Sequence, residues 1–190
     1  MRVTSYRVYV CGMSRAAGLV PIVVLVVLTL GLSPAGSQAS PSPAKPIIAL
    51  GEVTVRFDGN PIAKLHADGR TESVGDNKPG KDAKFSPGPT LHADGTIDLT
   101  KGGYKARVDG DGKVIVVAPD KSEQPFGRIA GDHLLMASGP TGVRVDGKKL
   151  IEFADGKDTA VIGVIDPPRM KRTALVMTAA FFIDMAIVSR

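Results

Sequence analysis

"LHADGR" (65–70) returns as "LHADGT" (91–96), and whether this phrase is a chemical site or a joint between strands decides the fold. In both copies an apolar residue and a histidine lead into Ala-Asp-Gly. Glycine tolerates the positive φ that a tight turn imposes, and an aspartate before it accepts hydrogen bonds from the turn's own amides. Taking Ala93-Asp94-Gly95 as a three-residue hairpin loop sets Leu91 across from Ile97 and His92 across from Thr96. Apolar then faces apolar, as a half-buried hairpin requires. The phrase therefore reads as a strand end plus a turn, with His66 and His92 on the face opposite Leu65 and Leu91.

The same device recurs along the chain. Asp-Gly occurs seven times, at 58, 68, 94, 109, 111, 146 and 155, and separates short runs rich in Val, Ile, Leu and Thr. No helical periodicity interrupts them between Pro46 and Asp166. This predicts a mainly β domain over 46–166, an antiparallel meander or small sandwich. Asp109 to Gly112, taken as a four-residue loop, sets Ala106 against Ile115 and Tyr104 against Val117. Asp146-Gly147, taken as a two-residue turn, sets Val143 against Leu150 and leaves Arg144 and Lys149 on the other face. The offset of 26 residues between the two copies of the phrase hints at a degenerate β-repeat, but the segments between do not align as a solenoid. Gly75 to Pro89, polar and rich in Pro, Gly and Lys around Phe85, reads as a long solvated loop.

The two ends differ from the middle. Arg2, Arg7 and Arg15, an apolar run from Ala16 to Leu32, and the small residues of "SPAGSQAS" follow the order of a secretory signal peptide over 1–39. Cleavage after Ala39 is the expectation, and an uncleaved signal anchor or a start at Met13 are the alternatives. "SPSPAK" (40–45) reads as an extended linker. Residues 167–190 open with two prolines and the bases Arg169, Lys171 and Arg172. An apolar helix follows from about Arg172 to Val188. Sixteen helical residues from Thr173 to Val188 cover about 24 Å, short of a bilayer core of about 30 Å, and Asp184 adds a charge. The helix is expected to pack on the open face of the sheet or in a partner, with membrane contact through Thr173 to Val188 as the other possibility.

Charge and composition exclude several classes. The chain carries 24 Lys and Arg against 19 Asp and Glu, but over Ser40 to Asp166 the count is 17 against 18. A nucleic-acid binder concentrates positive charge on its folded part, so no such partner is expected. Cys11 is the single cysteine and precedes the apolar run, which leaves the exported part without a disulfide, a thiolate metal site or a cysteine nucleophile. "VDGDGK" (108–113) presents Asp109 and Asp111 as in half of a calcium loop, yet the acid two residues earlier is replaced by Arg107 and both flanking helices are missing. A turn is the better reading. His66, His92 and His133 have the ligand type of a zinc site without the spacing for one. Ser86, Ser122 and Ser138 lack a Gly-x-Ser-x-Gly elbow, and Asp132 beside His133 points to the other face of a strand. No catalytic residue is assigned and no cofactor is expected.

The export signal, the repeated Ala-Asp-Gly turns and the basic, Thr-Ala-Leu-containing apolar C-terminus resemble a loose group of uncharacterised exported bacterial β-proteins built from such hairpins. The resemblance covers about Gly51 to Val188 and implies no activity. The expectation is an exported protein, periplasmic, envelope-associated or extracellular. Its expected role is non-catalytic, structural or binding, at the cell envelope, with an envelope component or a second copy of itself as partner. The alternative is a small exported hydrolase or metal-dependent enzyme that uses the histidines.

Overall fold

A computed structural model describes residues 46–74 and 83–188 of the chain. The expected signal peptide, the linker and residues 75–82 of the expected loop lie outside the described residues. Twelve strands follow one another: β1 Val53–Phe57, β2 Asn60–Leu65, β3 Arg70–Ser73, β4 Ser86–Leu91, β5 Thr96–Asp98 and β6 Lys105–Val108. Then come β7 Lys113–Val117, β8 Glu123–Ala130, β9 His133–Met136, β10 Thr141–Asp146, β11 Lys149–Ala154 and β12 Lys157–Asp166. A 3-10 turn, Pro168–Met170, leads into the helix α1, Lys171–Val188. Each strand pairs antiparallel with its sequence neighbours, and β1 pairs with β12 through Thr54 and Asp166, Val55 and Ile165, and Arg56 and Val164. The expected meander with one C-terminal helix is present, and it closes into a barrel instead of folding into a sandwich. Closure removes every sheet edge.

One motif builds one end of the barrel. In the loop closed by His66 and Arg70, the Gly69 amide donates to His66 O at 3.0 Å. His92 with Thr96 and Asp109 with Lys113 close loops of the same shape. Each loop is three residues long, and each is preceded by a fully buried apolar residue: Leu65, Leu91 or Val108. These stand directly across from Thr71, Ile97 and Val114. Ile129 with Leu134 and Val145 with Leu150 continue the pattern over two-residue turns. Neighbouring hairpins are then stitched together. The carbonyls of Gly69, Gly95 and Gly112 accept from the amides of Leu91, Val108 and Ile129 at 2.8, 2.8 and 2.7 Å. Asp132 O and Lys148 O accept in the same way from Val145 and Ile165.

The stitch explains the glycines. Gly69, Gly95 and Gly112 have φ near +90°, and a Cβ there would sit 1.9, 2.3 and 2.1 Å from the carbonyl oxygen of the next hairpin. A fourth loop of the same shape, Pro119-Asp120-Lys121, lies at the opposite end, between β7 and β8. No such stitch is made there, and Lys121 takes the positive φ of 66°.

Three sequence-based expectations need correction. Asp109 stays in the ladder opposite Lys113, so the loop is Gly110 to Gly112, and Ala106 opposes Val116, not Ile115. The turn after β10 is Gly147-Lys148, so Val145 opposes Leu150, and Arg144 lies across from Ile151. The stretch expected to be a loop through Pro89 already contains the first residues of β4. Its prolines are accommodated because β3 and β4 slip register between Arg70 and Glu72, which leaves places in the ladder that need no proline N–H.

α1 is the centre of the barrel. Every residue from Thr173 to Ala180 is buried, and the helix packs against β1, β4, β8, β9 and β10, strands spread around the circumference. The expected open sheet face is thus the inner wall of a closed barrel. Eight strands leave room for side chains alone; twelve leave a wider lumen, which a helix about 10 Å across fills. Small residues, Ala174, Ala179 and Ala180, let the wall approach. At Gly88 a Cβ would lie 2.5 Å from the Phe181 ring. The buried and half-buried polar side chains of the helix have partners, and Arg172 is exposed. Lys171 donates to Asp132 Oδ2 at 2.8 Å and the Thr173 hydroxyl to Ala49 O at 2.8 Å, while the Thr178 hydroxyl donates to Ala174 O at 2.8 Å. At the far end Asp184 accepts from Thr100 N at 2.8 Å and Thr100 Oγ1 at 2.6 Å, and Lys101 donates to Ile187 O at 3.0 Å. Ile47 and Ile48, both bonded to Ala93 O, lie against the first end of the barrel.

Two outcomes follow from this packing. Leu175, Val176, Met177 and Ile183 are fully buried and together contribute about 6–12 kcal/mol, as much as a whole domain's stability of about 5–15 kcal/mol. Deleting residues 171–190 is expected to abolish the cooperative melt and cause aggregation; a soluble barrel with a cooperative melt would show that the helix is dispensable. Gly95→Ala is expected to destabilise by about 1–3 kcal/mol or more through strain at a positive φ, whereas Lys121→Gly should change stability by less than about 1 kcal/mol. Urea denaturation of the two variants measures both.

Candidate functional site

The two histidines of the repeated phrase occupy equivalent places and do equivalent things. Each closes its loop and lies on the outer face, and each meets a carboxylate six residues on. His66 Nε2 is 3.5 Å from Glu72 Oε2, and His92 Nε2 is 2.7 Å from Asp98 Oδ2. Lys105 Nζ adds a third member at 3.0 Å from Asp98 Oδ1. The His92 hydrogen bond first, and then Lys105, hold the Asp98 carboxyl below its ordinary value. His133 begins β9, far around the barrel, exposed and edge-on to Phe153 at 6.1 Å. The three histidines are therefore not brought into one site, and among the described residues no group of three His, Cys, Asp or Glu side chains could hold a metal ion.

The remaining candidates are joints. Asp109 Oδ1 accepts from the amides of Asp111 and Lys113 at 3.0 and 2.9 Å, and Asp111 is exposed at the loop tip. This is the turn reading of "VDGDGK". Asp68, Asp94 and Asp120 likewise accept from the amide two residues on. These bonds lower their carboxyl pKa values; for Asp68 the Arg70 side chain, and for Asp120 the Ser122 hydroxyl, is the larger cause. Ser122 gives its hydroxyl to Asp120 at 2.6 Å, Ser86 is exposed at the start of β4, and Ser138 lies in the turn after β9. Asp132 pairs with Lys171 and not with His133. Among the described residues no hydroxyl, imidazole and carboxylate are placed as a nucleophile, base and orienter need to be.

A concave surface that sequence reasoning missed lies at the end of the barrel where α1 emerges. Ile183, Ala186 and Ile187 of the helix face Val116 of β7, Pro125 and Phe126 of β8, and Met136 and Ala137 at the end of β9. The groove has a volume of about 410 Å³, and Gln124 and Ser138 are its polar side chains. It forms because β8 begins with Glu123-Gln124-Pro125, all exposed, and leaves the last turn of the helix partly uncovered. The sequence signal was the pair Ile183 and Ile187, which continues an apolar face past Asp184.

Comparison of the chain with protein-family models, with curated proteins and with solved structures finds no match. Among the described residues no helix is long and apolar enough to cross a membrane.

The Asp98 cluster gives a pH test. A carboxyl held below its ordinary value stabilises the fold at pH above that value, and the contribution is lost as pH falls through the lowered folded-state value. With both partners nearly half exposed, the effect should not exceed about 1 kcal/mol. Asp98→Asn is expected to lower the melting temperature slightly at neutral pH and to match the native chain once the pH is below the lowered folded-state value. A gap that persists in acid would mean that packing, not charge, is responsible.

Proposed function

We propose that the chain is an exported, non-catalytic protein of the cell envelope that binds an apolar ligand in the groove at the mouth of its barrel. The observation that carries this is the groove itself, with eight apolar side chains and two polar ones around about 410 Å³. That size and lining suit a small ligand site, and the mouths of barrels are a common place for one. The lumen is filled by α1, which leaves the ends of the barrel as the places where a ligand can meet both barrel and helix, and of the two the groove by Ile183 and Ile187 has the more apolar side chains around it. The histidines, which the hydrolase reading would need, support it less: two are engaged with carboxylates on the outer wall and the third lies apart. Export rests on the basic, apolar and small-residue order of residues 1–39.

Titration with an uncharged naphthylamine dye tests the reading. Ala186 is exposed and lines the groove, so Ala186→Trp fills it without touching the buried part of the helix. The native chain should bind the dye with enhanced fluorescence. The variant should bind at least about tenfold more weakly, a loss of about 1.4 kcal/mol, with an unchanged melting temperature. Failure of the native chain to bind, or equal binding by the variant, would refute the groove as the site. Fractionation of cells that express the full chain tests export, and recovery in the cytoplasm alone would refute it.

A further inference from the structure

The seven Asp-Gly steps are chemically alike in sequence but not in the fold. Asp-Gly is the step at which a peptide most readily rearranges, because glycine puts no side chain in the way of its own amide nitrogen. Gly N attacks the aspartyl side-chain carboxyl carbon and water leaves, forming a five-membered succinimide. Water then adds back at either carbonyl. Addition at the former main-chain carbonyl leaves isoaspartate, with the main chain routed through the side chain and one methylene longer. The composition is unchanged, and no partner other than water takes part.

Two conditions govern the first step: a free carboxyl group and a free amide nitrogen. At Asp68-Gly69 and Asp94-Gly95 both are taken. The carboxylates accept from the amides of Arg70 and Thr96 at 3.1 and 2.9 Å, and the glycine amides donate to His66 O and His92 O at 3.0 Å. The backbone there has no room to move, since even a Cβ on these glycines would collide with the next hairpin. The next two steps are restrained once each: at Asp109-Gly110 the carboxylate is doubly bonded, and at Asp111-Gly112 the glycine amide donates to Asp109 O. Asp146 is held loosely, 3.8 Å from Arg144, and stands between the extremes.

Asp58-Gly59 and Asp155-Gly156 meet neither restraint. Among the described residues their carboxylates have no hydrogen-bond or ionic partner, and the amides of Gly59 and Gly156 donate to nothing. All four residues are exposed, both aspartates hold a positive φ, of 48° and 51°, and nothing lies within 4 Å of a Cβ at either glycine. We infer that, among the seven Asp-Gly steps, Asp58 and Asp155 are the sites of fastest spontaneous isoaspartate formation, while the stitched loops at Asp68 and Asp94 are protected. The two turns join β1 to β2 and β11 to β12, so the modification falls on the hairpins either side of the seam that closes the barrel.

Trypsin places the extremes in separate peptides: 57–64 for Asp58, 65–70 for Asp68, 85–101 for Asp94 and 150–157 for Asp155. The folded full-length chain is aged at neutral pH beside the same chain in denaturant, and isoaspartate is counted in each peptide by enzymatic methylation. Each hydrogen bond that must break first slows the step by about tenfold. Peptides 57–64 and 150–157 should therefore react in the folded chain within about tenfold of their denatured rates, and peptides 65–70 and 85–101 about a hundredfold below theirs. Equal protection of all four, or reaction at 65–70 or 85–101 as fast as at 57–64, would overturn the inference. Asp58→Asn and Asp94→Asn give a second reading, as the mass gained when ammonia leaves and water enters. Asp58→Asn should convert readily in the folded chain and Asp94→Asn should not; the reverse order would also overturn it.

Discussion

A closed sheet of twelve strands encloses more space than inward side chains can fill, and the rest of the structure answers to that constraint. An apolar helix in the lumen satisfies it, because a cylinder about 10 Å across with side chains on all sides supplies what the wall cannot. This is why α1 is apolar nearly all round, a pattern that on a surface helix would leave greasy area in water. It is also why the polar residues of α1 sit where they do. Thr173 and Thr178 give their hydroxyls to carbonyls, and Asp184 appears where the helix leaves the lumen and meets Thr100. A charge that would be costly in a bilayer becomes a fastening at the barrel's rim.

Filling the lumen also directs where function can be sought. Ligand-binding barrels usually offer their interior; here the interior belongs to the chain itself. Chemistry is left to the outer wall and the two ends. On the wall, ion pairs such as Arg144 of β10 with Asp158 of β12, bonded at 2.9 and 2.7 Å, reach across β11 and tie alternate strands together. One end is occupied by loops, by Ile47 and Ile48, and by the start of α1. The other end is shallower over β7 to β9 and exposes the last turn of the helix, so apolar surface and concavity coincide there.

Much of the architecture could be read from one phrase, and the misreadings have a physical origin. The hairpin at Ala93 to Gly95 was legible because Leu91 and Ile97 are both apolar, so a slipped register would turn one of them outward. At Asp109 the choice was harder, since the residue that closes the loop is itself an aspartate and looks like part of the turn. Written beside Leu-His-Ala-Asp-Gly, Val108-Asp109-Gly110-Asp111-Gly112 is the same phrase with valine, aspartate and glycine in the places of leucine, histidine and alanine. Closure was not legible, because the pairing of β1 with β12 joins residues more than a hundred positions apart and leaves no local trace. The groove was illegible for a related reason: its walls come from β7, β8, β9 and α1, and none of them is unusual alone. What gave the histidines their apparent promise, repetition, comes from the repeated loop and not from a shared site.

The order in which the parts are made matters for a molecule with this centre. Synthesis runs from β1 to β12 and reaches α1 last, so twelve strands emerge before the element they must surround. Hairpins can form early, since their contacts are local, but the seam between β1 and β12 cannot be sealed around an absent filler. The barrel is thus held back from its final shape until α1 is free. A wall that waits for its filler keeps the strands β1 and β12 unpaired, with their backbone groups open to water or to another strand, until α1 is in place.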